Sequence, residues 1–194
     1  MKNDTPHIRS FIAISLPNRI NKWLQDLQTQ LKKSGIKASW QRPATMHLTI
    51  TFLGNVRLRE IERIKNAMTQ AVEGIPIHTM YASGIGVFPS IKNARVIWSG
   101  TKGQTDVLEK LATRLEDTLT RDLGFKREPG KFFPHLTLAR IKKPVCAKTM
   151  ARLLQAFKNI RSDDFSISEI TLYQSKLTSS GAVHKFLFSA PFKR

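Results

Sequence analysis

The sequence predicts a protein of mixed helical and strand structure, α+β or mixed α/β, and three observations support this. Four segments repeat apolar residues at the three- and four-residue spacing of an amphipathic helix. Short strand-like segments lie between them, and several follow one another directly. One four-residue pattern occurs twice, 88 residues apart, which indicates two similar lobes. With 194 residues and no long linker, the chain is expected to form a single two-lobed domain, residues 1–194.

The helices are predicted from their apolar stripes and the strands from short apolar runs. The stripes are Ile20, Leu24, Leu27 and Leu31; Ile61, Ile64, Met68 and Ala71; Leu108, Leu111, Leu115 and Leu119; and Met150, Leu153, Leu154 and Phe157. The third helix is expected to end at Gly124, because glycine readily adopts the left-handed conformation that stops a helix. Residues 81–89, which contain Gly and Pro, are the predicted crossing between the halves. The predicted strands are residues 9–16, 46–53, 77–86, 95–99, 135–141, 165–177 and 183–189.

Charge is the unusual feature of the composition. The chain has 32 Lys and Arg against 14 Asp and Glu, a formal net charge of +18. Such an excess draws a protein towards polyanions, so nucleic acid is the leading partner class and an anionic membrane surface the second. Apolar residues make up 41% and charged residues 24%, which is ordinary globular usage and argues against disorder or a coiled coil.

The sequence predicts a cytoplasmic protein. Cys146 is the single cysteine and cannot form an internal disulfide, which argues against a disulfide-stapled secreted domain. We expect it to be a buried or half-buried structural thiol. No stretch has the apolar length of a signal peptide core or of a membrane-spanning helix. Phosphate-binding-loop, dinucleotide, zinc and serine-elbow motifs are all missing, so the sequence predicts no metal and no cofactor.

The repeated pattern, residues 47–50 and 135–138, is the candidate site. Side chains alternate between the faces of a strand. His47 and Thr49 therefore share one face, opposite a core face that is predicted to hold Met46, Leu48, Ile50 and Phe52. In the second copy His135 and Thr137 lie opposite Leu136 and Leu138. If the two lobes pack with these faces opposed, one cleft holds two histidines and two threonines.

Two histidines suit the hydrolysis of a phosphodiester. Imidazole exists in both protonation states near neutral pH, so one ring can take a proton from water while the other gives one to the leaving oxygen. Threonine hydroxyls can donate hydrogen bonds to phosphate oxygens. A single such motif is more often structural, but two copies in a chain of five histidines favour function. His7, His78 and His184 are expected to be surface or strand-edge residues, with His184 the strongest candidate for a role.

Both motifs, with their flanks, resemble the 2H phosphoesterase superfamily, and within it the bacterial RNA 2′,3′-cyclic phosphodiesterases, also called 2′-5′ RNA ligases. The resemblance covers nearly the whole chain. It includes an opening strand at residues 9–14, a first signature at 46–54, a second at 133–140 and a closing hairpin at 173–182. Phe88-Pro89 and residues 94–98 resemble the middle strands of the family. His184 stands where relatives more often carry an aromatic residue.

The resemblance implies an α+β fold of two pseudo-symmetric lobes, each an antiparallel sheet flanked by helices, around a central basic cleft. It implies that RNA 2′,3′-cyclic phosphate ends are opened to 2′-phosphomonoesters without a metal. By position, His47 corresponds to the proton donor and His135 to the base, while Thr49 and Thr137 hold the phosphate. Some relatives also join tRNA halves through a 2′-5′ bond, so tRNA fragments are candidate partners. Neither a membrane nor a protein partner is implied, and we expect a monomer.

Basic and aromatic residues around the second motif suit an RNA end. Phe133 shares strand parity with His135 and is the candidate for base stacking, whereas Phe132 is predicted to lie in the core. Arg140 matches the family but falls on the core-facing parity. Alternatives are 2′-5′ ligation, a small cyclic nucleotide as substrate, and an RNA-binding module without catalysis. The candidate RNA contacts are Phe133, Arg140, Lys131 and Arg127.

Overall fold

Helices and strands follow one another in the predicted order, with one short strand added. The computed structural model describes residues 6–127, 130–179 and 181–192. Its strands are β1 His7–Ser15, β2 Ala38–Trp40, β3 His47–Arg57, β4 His78–Phe88, β5 Val96–Gly103, β6 His135–Ile141, β7 Phe165–Ile167, β8 Glu169–Thr178 and β9 Gly181–Pro191. Its helices are α1 Asn18–Lys32, α2 Ile61–Ala71, α3 Thr105–Leu123 and α4 Ala147–Ala156.

The two halves of the fold are joined through one antiparallel sheet. The strand order is β7-β4-β5-β6-β3-β1-β8-β9, and the added strand β2 also pairs with β6. The halves β7-β4-β5-β6 and β3-β1-β8-β9 meet where Leu48 of β3 pairs with Leu136 of β6. Both residues are the second position of a motif. The two motifs therefore lie side by side on the same face of one curled sheet, rather than on opposed faces of two sheets.

The helices bury most of the apolar stripe residues that the sequence predicts, and α4 buries the fewest. All four stripe residues of α1 and all four of α3 are buried. In α4 only Met150 is buried, and the other stripe residues pack against the core while staying partly exposed. Gly124 ends α3 in the left-handed conformation, with φ +71°, and its N–H donates to the carbonyl of Thr120. This helix end is confirmed.

Two of the predicted boundaries are wrong. The predicted strand 165–177 is two strands, β7 and β8, because β7 pairs with β4 in one half of the sheet and β8 pairs with β1 and β9 in the other. Residues 81–88 belong to β4 and do not cross between the halves. The glycine at position 86 has a packing role instead, since a Cβ there would meet the ring of Trp98 at 2.1 Å. The chain crosses between the halves more than once, for example through α2, which connects β3 to β4, and at Ser168 between β7 and β8.

A β-bulge follows the threonine of each motif. In β3, Thr49 pairs with Ala13 and Thr51 with Ile12, which leaves Ile50 as an extra residue. In β6, Leu138 is the extra residue, because Thr137 pairs with Trp98 and Ala139 with Ile97. An extra residue reverses the alternation of side chains beyond it.

The two bulges correct two predictions made from simple alternation. Phe52 does not lie in the core: it pairs with Phe11 on the same face as the motif histidine, and its side chain is 54% exposed. Arg140 likewise leaves the core-facing side and is exposed. Both residues lie five positions after a motif histidine. Each lobe therefore presents one additional side chain on the candidate site's face of the sheet.

Candidate active site

The Leu48–Leu136 pair sets the arrangement of the two motifs. Because the strands are antiparallel, this pairing places His47 opposite Thr137 and Thr49 opposite His135. Leu48 and Leu136 are buried, and the four polar side chains are half-buried on the other face. The structure therefore brings the four residues singled out by the sequence together, with each histidine beside the threonine of the other motif.

A cavity of about 480 Å³ lies over this face. His47, Thr49 and Thr137 line it, together with Arg140 from the end of β6. The β8–β9 hairpin contributes further lining, including His184. A cavity of this size falls in the range that encloses a small organic ligand.

Both motif histidines are held by the same local hydrogen bond. Nδ1 of His47 lies 2.8 Å from the carbonyl oxygen of Thr45, and Nδ1 of His135 lies 2.8 Å from that of Phe133. A carbonyl oxygen can only accept, so each Nδ1 carries the proton and donates. Nε2 is then the atom of each ring that gains or loses a proton. This arrangement prepares both rings for acid–base chemistry.

His47 is the more deeply enclosed ring. Its centroid is 4.7 Å from that of Phe11 and 5.3 Å from that of His184, which meets it edge-on. Burial lowers the pKa of His47 to about 4, although the hydrogen bond to Thr45 acts in the opposite direction. Positive charge on His184 and His135 also contributes to the lowering of this pKa. In the free protein, Nε2 of His47 is therefore unprotonated at neutral pH.

His135 lies in an aromatic setting of its own. Its ring centroid is 5.0 Å from Phe88, 6.3 Å from Trp98 and 6.4 Å from Phe133. Phe133 is 51% exposed, and Phe132 is half-buried against the core, as strand parity predicts for both. An exposed ring next to the motif suits base stacking, and a contact between Phe133 and RNA stays a prediction.

Two arginines place positive charge at the cavity. Arg9 and Arg140 both line it, and neither makes an ion pair within the part of the chain that the structure describes. No Asp or Glu is found among the described residues of its lining. Positive potential is therefore left uncompensated where an anion would bind.

The other two candidate RNA contacts are engaged within the protein. Arg127 forms an ion pair with Asp117, and Lys131 forms one with Glu109 at 3.1 Å. Both acidic partners belong to α3. Part of the charge of Arg127 and Lys131 is thus already compensated, and their contact with RNA stays a prediction.

The remaining histidines differ in their surroundings. His78 is buried rather than at the surface, since its ring stacks on Phe192 and Nδ1 donates to the carbonyl of Pro76 at 3.0 Å. His184 is not a simple strand-edge residue, because it lines the cavity and its buried Nδ1 has no hydrogen-bond partner among the residues that the structure describes. Burial lowers its pKa. His7 is exposed, as expected.

Three features outside the cavity complete the description. Cys146 is exposed, so the expectation of a buried or half-buried thiol is wrong. It lies directly before α4, and the backbone N–H groups of Lys148 and Thr149 in the first turn lower the pKa of its thiol. Within the described ranges, no three His, Cys, Asp or Glu side chains are grouped to hold a metal ion. Nor is any helix there long and apolar enough to cross a membrane.

Phe52 and Arg9 are among the cavity residues that sequence reasoning missed. Simple alternation placed Phe52 in the core, because the bulge at Ile50 that reverses the alternation cannot be recognised from the local sequence. Arg9 could have been found, since it shares strand parity with Phe11 and the first strand was recognised.

The protein-family model described as LigT like phosphoesterase matches the chain twice, over residues 14–98 and 100–184. Each match contains one of the two motifs. Among curated proteins, the RNA 2′,3′-cyclic phosphodiesterase of Thermotoga maritima is 31% identical over 186 residues, which are 96% of each chain. The RNA 2′,3′-cyclic phosphodiesterase of Methanocaldococcus jannaschii is 31% identical over 180 residues, 93% of this chain and 98% of that one.

Solved structures share the fold. A crystal structure from Thermus thermophilus aligns with a TM-score of 0.79 at 22% identity, covering 95% of this chain and 98% of the other. Escherichia coli LigT in complex with 3′-AMP aligns with a TM-score of 0.77 at 21% identity, covering 97% of this chain and all of the other. The α+β architecture with two repeated halves is confirmed.

Proposed function

Because the chain belongs to the LigT like phosphoesterase family, we propose that it hydrolyses RNA 2′,3′-cyclic phosphodiester ends to 2′-phosphomonoesters, with His47 and His135 as acid and base. The observation that carries this proposal is the Leu48–Leu136 pairing, which places each histidine beside the threonine of the other motif. Relatives about as long as this chain bear the name of that activity. The two lobes act as one catalytic unit, since each supplies one histidine.

In the proposed reaction, Nε2 of His135 and Nε2 of His47 carry the two proton transfers. His135 takes a proton from water, and the water oxygen forms a bond to phosphorus. The bond between phosphorus and the ribose 3′ oxygen breaks, and His47 gives that oxygen its proton. The products are a 3′ hydroxyl and a 2′-phosphomonoester. Neither a covalent intermediate nor a metal ion is needed for the atoms and charges to balance.

The threonines and Arg140 stabilise the phosphate. The hydroxyls of Thr49 and Thr137 donate to its non-bridging oxygens, where negative charge is concentrated in the transition state. Arg140 lines the same cavity and offers a guanidinium whose paired N–H groups match two phosphate oxygens. These groups are held by the sheet, so little reorganisation is needed when the substrate binds.

The low pKa of His47 makes its donor role depend on the substrate. A ring whose pKa is about 4 is unprotonated in the free protein at neutral pH. A phosphodiester anion beside Nε2 favours the protonated form and raises the pKa. His47 therefore takes up its proton as the substrate binds, and gives it to the leaving oxygen in the reaction.

The test is turnover of an oligoribonucleotide that ends in a 2′,3′-cyclic phosphate, in EDTA. Wild type, His47→Ala and His135→Ala are compared with His7→Ala, which removes an exposed histidine outside the cavity. We expect wild type and His7→Ala to form the 2′-phosphate and the other two variants to lose at least about 100-fold in rate. No turnover by folded wild type would favour the alternative of a basic RNA-binding module.

A second candidate activity is 2′-5′ ligation, in which a 5′-hydroxyl of RNA replaces water as the nucleophile at phosphorus and the ribose 3′ oxygen again leaves. Supplying a 5′-hydroxyl RNA with the cyclic end, as in paired tRNA halves, tests it directly. A 2′-5′ joined product that disappears in both histidine variants would support it. The cytoplasmic location, the monomeric state and the choice of tRNA fragments stay predictions from the sequence.

A further inference from the structure

Three cations form a strip that leads away from the cavity across two neighbouring strands. Arg140 of β6 lines the cavity, and Lys142 lies two residues further along the chain, directly after β6. On β2, Ser39 pairs with Arg140. Lys37 lies opposite Lys142, because the N–H of Lys142 donates to the carbonyl of Lys37 at 2.8 Å. Arg140, Lys142 and Lys37 are called the basic strip.

The side chains of the strip project from the motif face of the sheet. Ala38 and Ile141 pair with each other and pack against the core. Lys37 and Lys142 come directly before and after them in the alternation of the two strands, so both project from the opposite face. Both lysines are exposed, and Arg140 lines the cavity from that face. The strip is therefore continuous with the candidate active site.

The charge of the basic strip is uncompensated within the part of the chain that the structure describes. The strands around it, β2, β3, β5 and β6, contain no Asp or Glu. None of its three cations forms an ion pair with another described residue. Arg127 and Lys131 differ in this respect, because both pair with acidic residues of α3. The strip is thus a surface that attracts a polyanion.

The strip lies at the end of the site where the leaving ribose oxygen is protonated. The antiparallel motifs place His47 opposite Thr137, with His135 at the other end of the pair. The chain runs from Thr137 to Arg140 in the direction away from His135, so the strip extends from the His47 end. In the proposed function His47 protonates the ribose oxygen, and the ribose carries the rest of the RNA chain. This orientation directs the RNA chain towards the strip.

We propose that Lys37 and Lys142 bind the internucleotide phosphates that precede the cyclic end of an RNA chain. Arg140 holds the cyclic phosphate in the cavity, and the two lysines contact the phosphates that come next along the backbone. Arg140 and Lys142 are separated by about 7 Å along the strand direction, so an extended single strand contacts them in succession. This rests on the proposed function, which fixes the cyclic phosphate between the motifs.

The consequence is a preference for RNA chains over mononucleotides that weakens as salt is added. Contacts to phosphates carry no sequence information, so the preference should hold for any base sequence. Each phosphate contact on a single strand contributes about 0.7 to the slope of log affinity against log salt concentration. Removing both lysines should therefore reduce that slope by about 1.4.

The experiment compares kcat/KM for a nucleoside 2′,3′-cyclic phosphate with kcat/KM for a tetranucleotide that ends in the same group. The strip variant is Lys37→Gln/Lys142→Gln. Its matched control, Lys22→Gln/Lys110→Gln, removes the same charge from exposed lysines of α1 and α3 that line neither the cavity nor the strip. Thermal unfolding of both variants checks that the fold is intact.

We expect wild type and the matched control to favour the tetranucleotide by about tenfold or more at about 50 mM salt. The strip variant should lower that ratio at least about fivefold. Equal ratios in the two double variants would overturn the strip and leave the hydrolytic function intact. Failure of the proposed function has a different result, namely no hydrolysis of either substrate, and the strip is then decided by binding.

Neutral linkages test the contact with phosphate itself. The second tetranucleotide has methylphosphonate linkages and 2′-O-methyl groups upstream of its cyclic end. It should be a poorer substrate than the charged tetranucleotide for wild type and for the matched control, but the difference should be much smaller for the strip variant, because the same contact is already lost. An equal difference in all three proteins would contradict a contact between the lysines and these phosphates.

Binding provides a readout that needs no turnover. The Kd of a tetranucleotide with a 2′-phosphate end is measured by calorimetry at several salt concentrations for the same three proteins. Weaker binding and a smaller salt slope in the strip variant alone support the strip, and equal Kd values in the two double variants contradict it. Vesicles of phosphatidylcholine and phosphatidylserine are the last probe. Loss of vesicle binding with unchanged RNA binding in the strip variant would assign the surface to a membrane and overturn the proposal.

Discussion

Phe52 and Arg140 occupy equivalent positions, each five residues after a motif histidine and each brought onto the motif face by a bulge after the threonine. The backbone is thus repeated in the two lobes, bulges included. The side chains are not repeated, because one lobe presents a phenylalanine ring and the other a guanidinium. An apolar surface on one side and a cation on the other suit a ligand with a base at one end and a phosphate at the other.

The two threonines should contribute to similar extents, because each lies opposite a histidine in the same geometry. We expect Thr49→Val and Thr137→Val each to lower kcat by about 10²- to 10³-fold, the usual effect of removing one hydrogen-bond donor to a developing charge. Thr51→Val is the matched control. It removes a hydroxyl from the same strand, but beyond the bulge, where Thr51 pairs with Ile12 of the core face. Wild-type kcat in both motif variants would exclude the hydroxyls from the reaction.

Arg140 should matter more than Arg127, although both were candidate contacts. Arg140 lines the cavity without an ion pair among the described residues, while Arg127 is paired with Asp117. We expect Arg140→Gln to lower kcat/KM for the cyclic substrate by about 10- to 100-fold, which corresponds to a hydrogen bond with a charged group. Arg127→Gln removes the same charge and should change kcat/KM less than about threefold, since Arg127 does not line the cavity and Asp117 already offsets part of its charge. Equal losses of kcat/KM in the two variants would indicate that only the total charge of the protein matters, and would contradict a specific contact of Arg140 with the phosphate.

The pKa of His47 can be measured by NMR titration of its ring. We expect a value near 4 in the free protein, where burial disfavours the charged ring, and a higher value when a nucleoside 2′-phosphate is bound. His184→Phe should also raise the pKa of His47, because it removes a neighbouring ring that can carry positive charge. A pKa of His47 near 6.5 that does not respond to the phosphate would contradict this account.

The same depressed pKa affects stability. The unfolded chain binds a proton at His47 near pH 6.5, whereas the folded protein does so only near pH 4. The unfolded state therefore binds more protons within this window, and the free energy of unfolding decreases as the pH falls from 6.5 to 4. Over the whole window, the shifted pKa of His47 changes the free energy of unfolding by about 3 kcal/mol. Urea unfolding at pH 7 and pH 4.5 should show a smaller decrease for His47→Gln than for wild type, and identical decreases would exclude His47 as a cause.

Local sequence pattern was enough to place the motif residues but not the residues just beyond them. His47 with Thr49, and His135 with Thr137, precede the bulges, so simple alternation assigns their face correctly. Phe52 follows a bulge, and a bulge depends on how two distant strands pair, which no local pattern contains.

Long-range packing also explains the other differences. Arg127 and Lys131 are close to the second motif in sequence, but they pair with acidic residues of α3 once the chain folds back along that helix. His78 resembles an edge residue in sequence, yet Phe192, 114 positions away, covers its ring. Neither contact is encoded in the neighbouring residues.

The most direct test of paired-histidine catalysis is the pH dependence of hydrolysis between pH 4 and 8. The account predicts bell-shaped profiles, because the base must be neutral and the acid protonated. It also predicts that kcat is maximal at a higher pH than kcat/KM, since kcat/KM reports the free protein and bound phosphate raises the pKa of His47. A flat profile between pH 5 and 8 would contradict catalysis by His47 and His135.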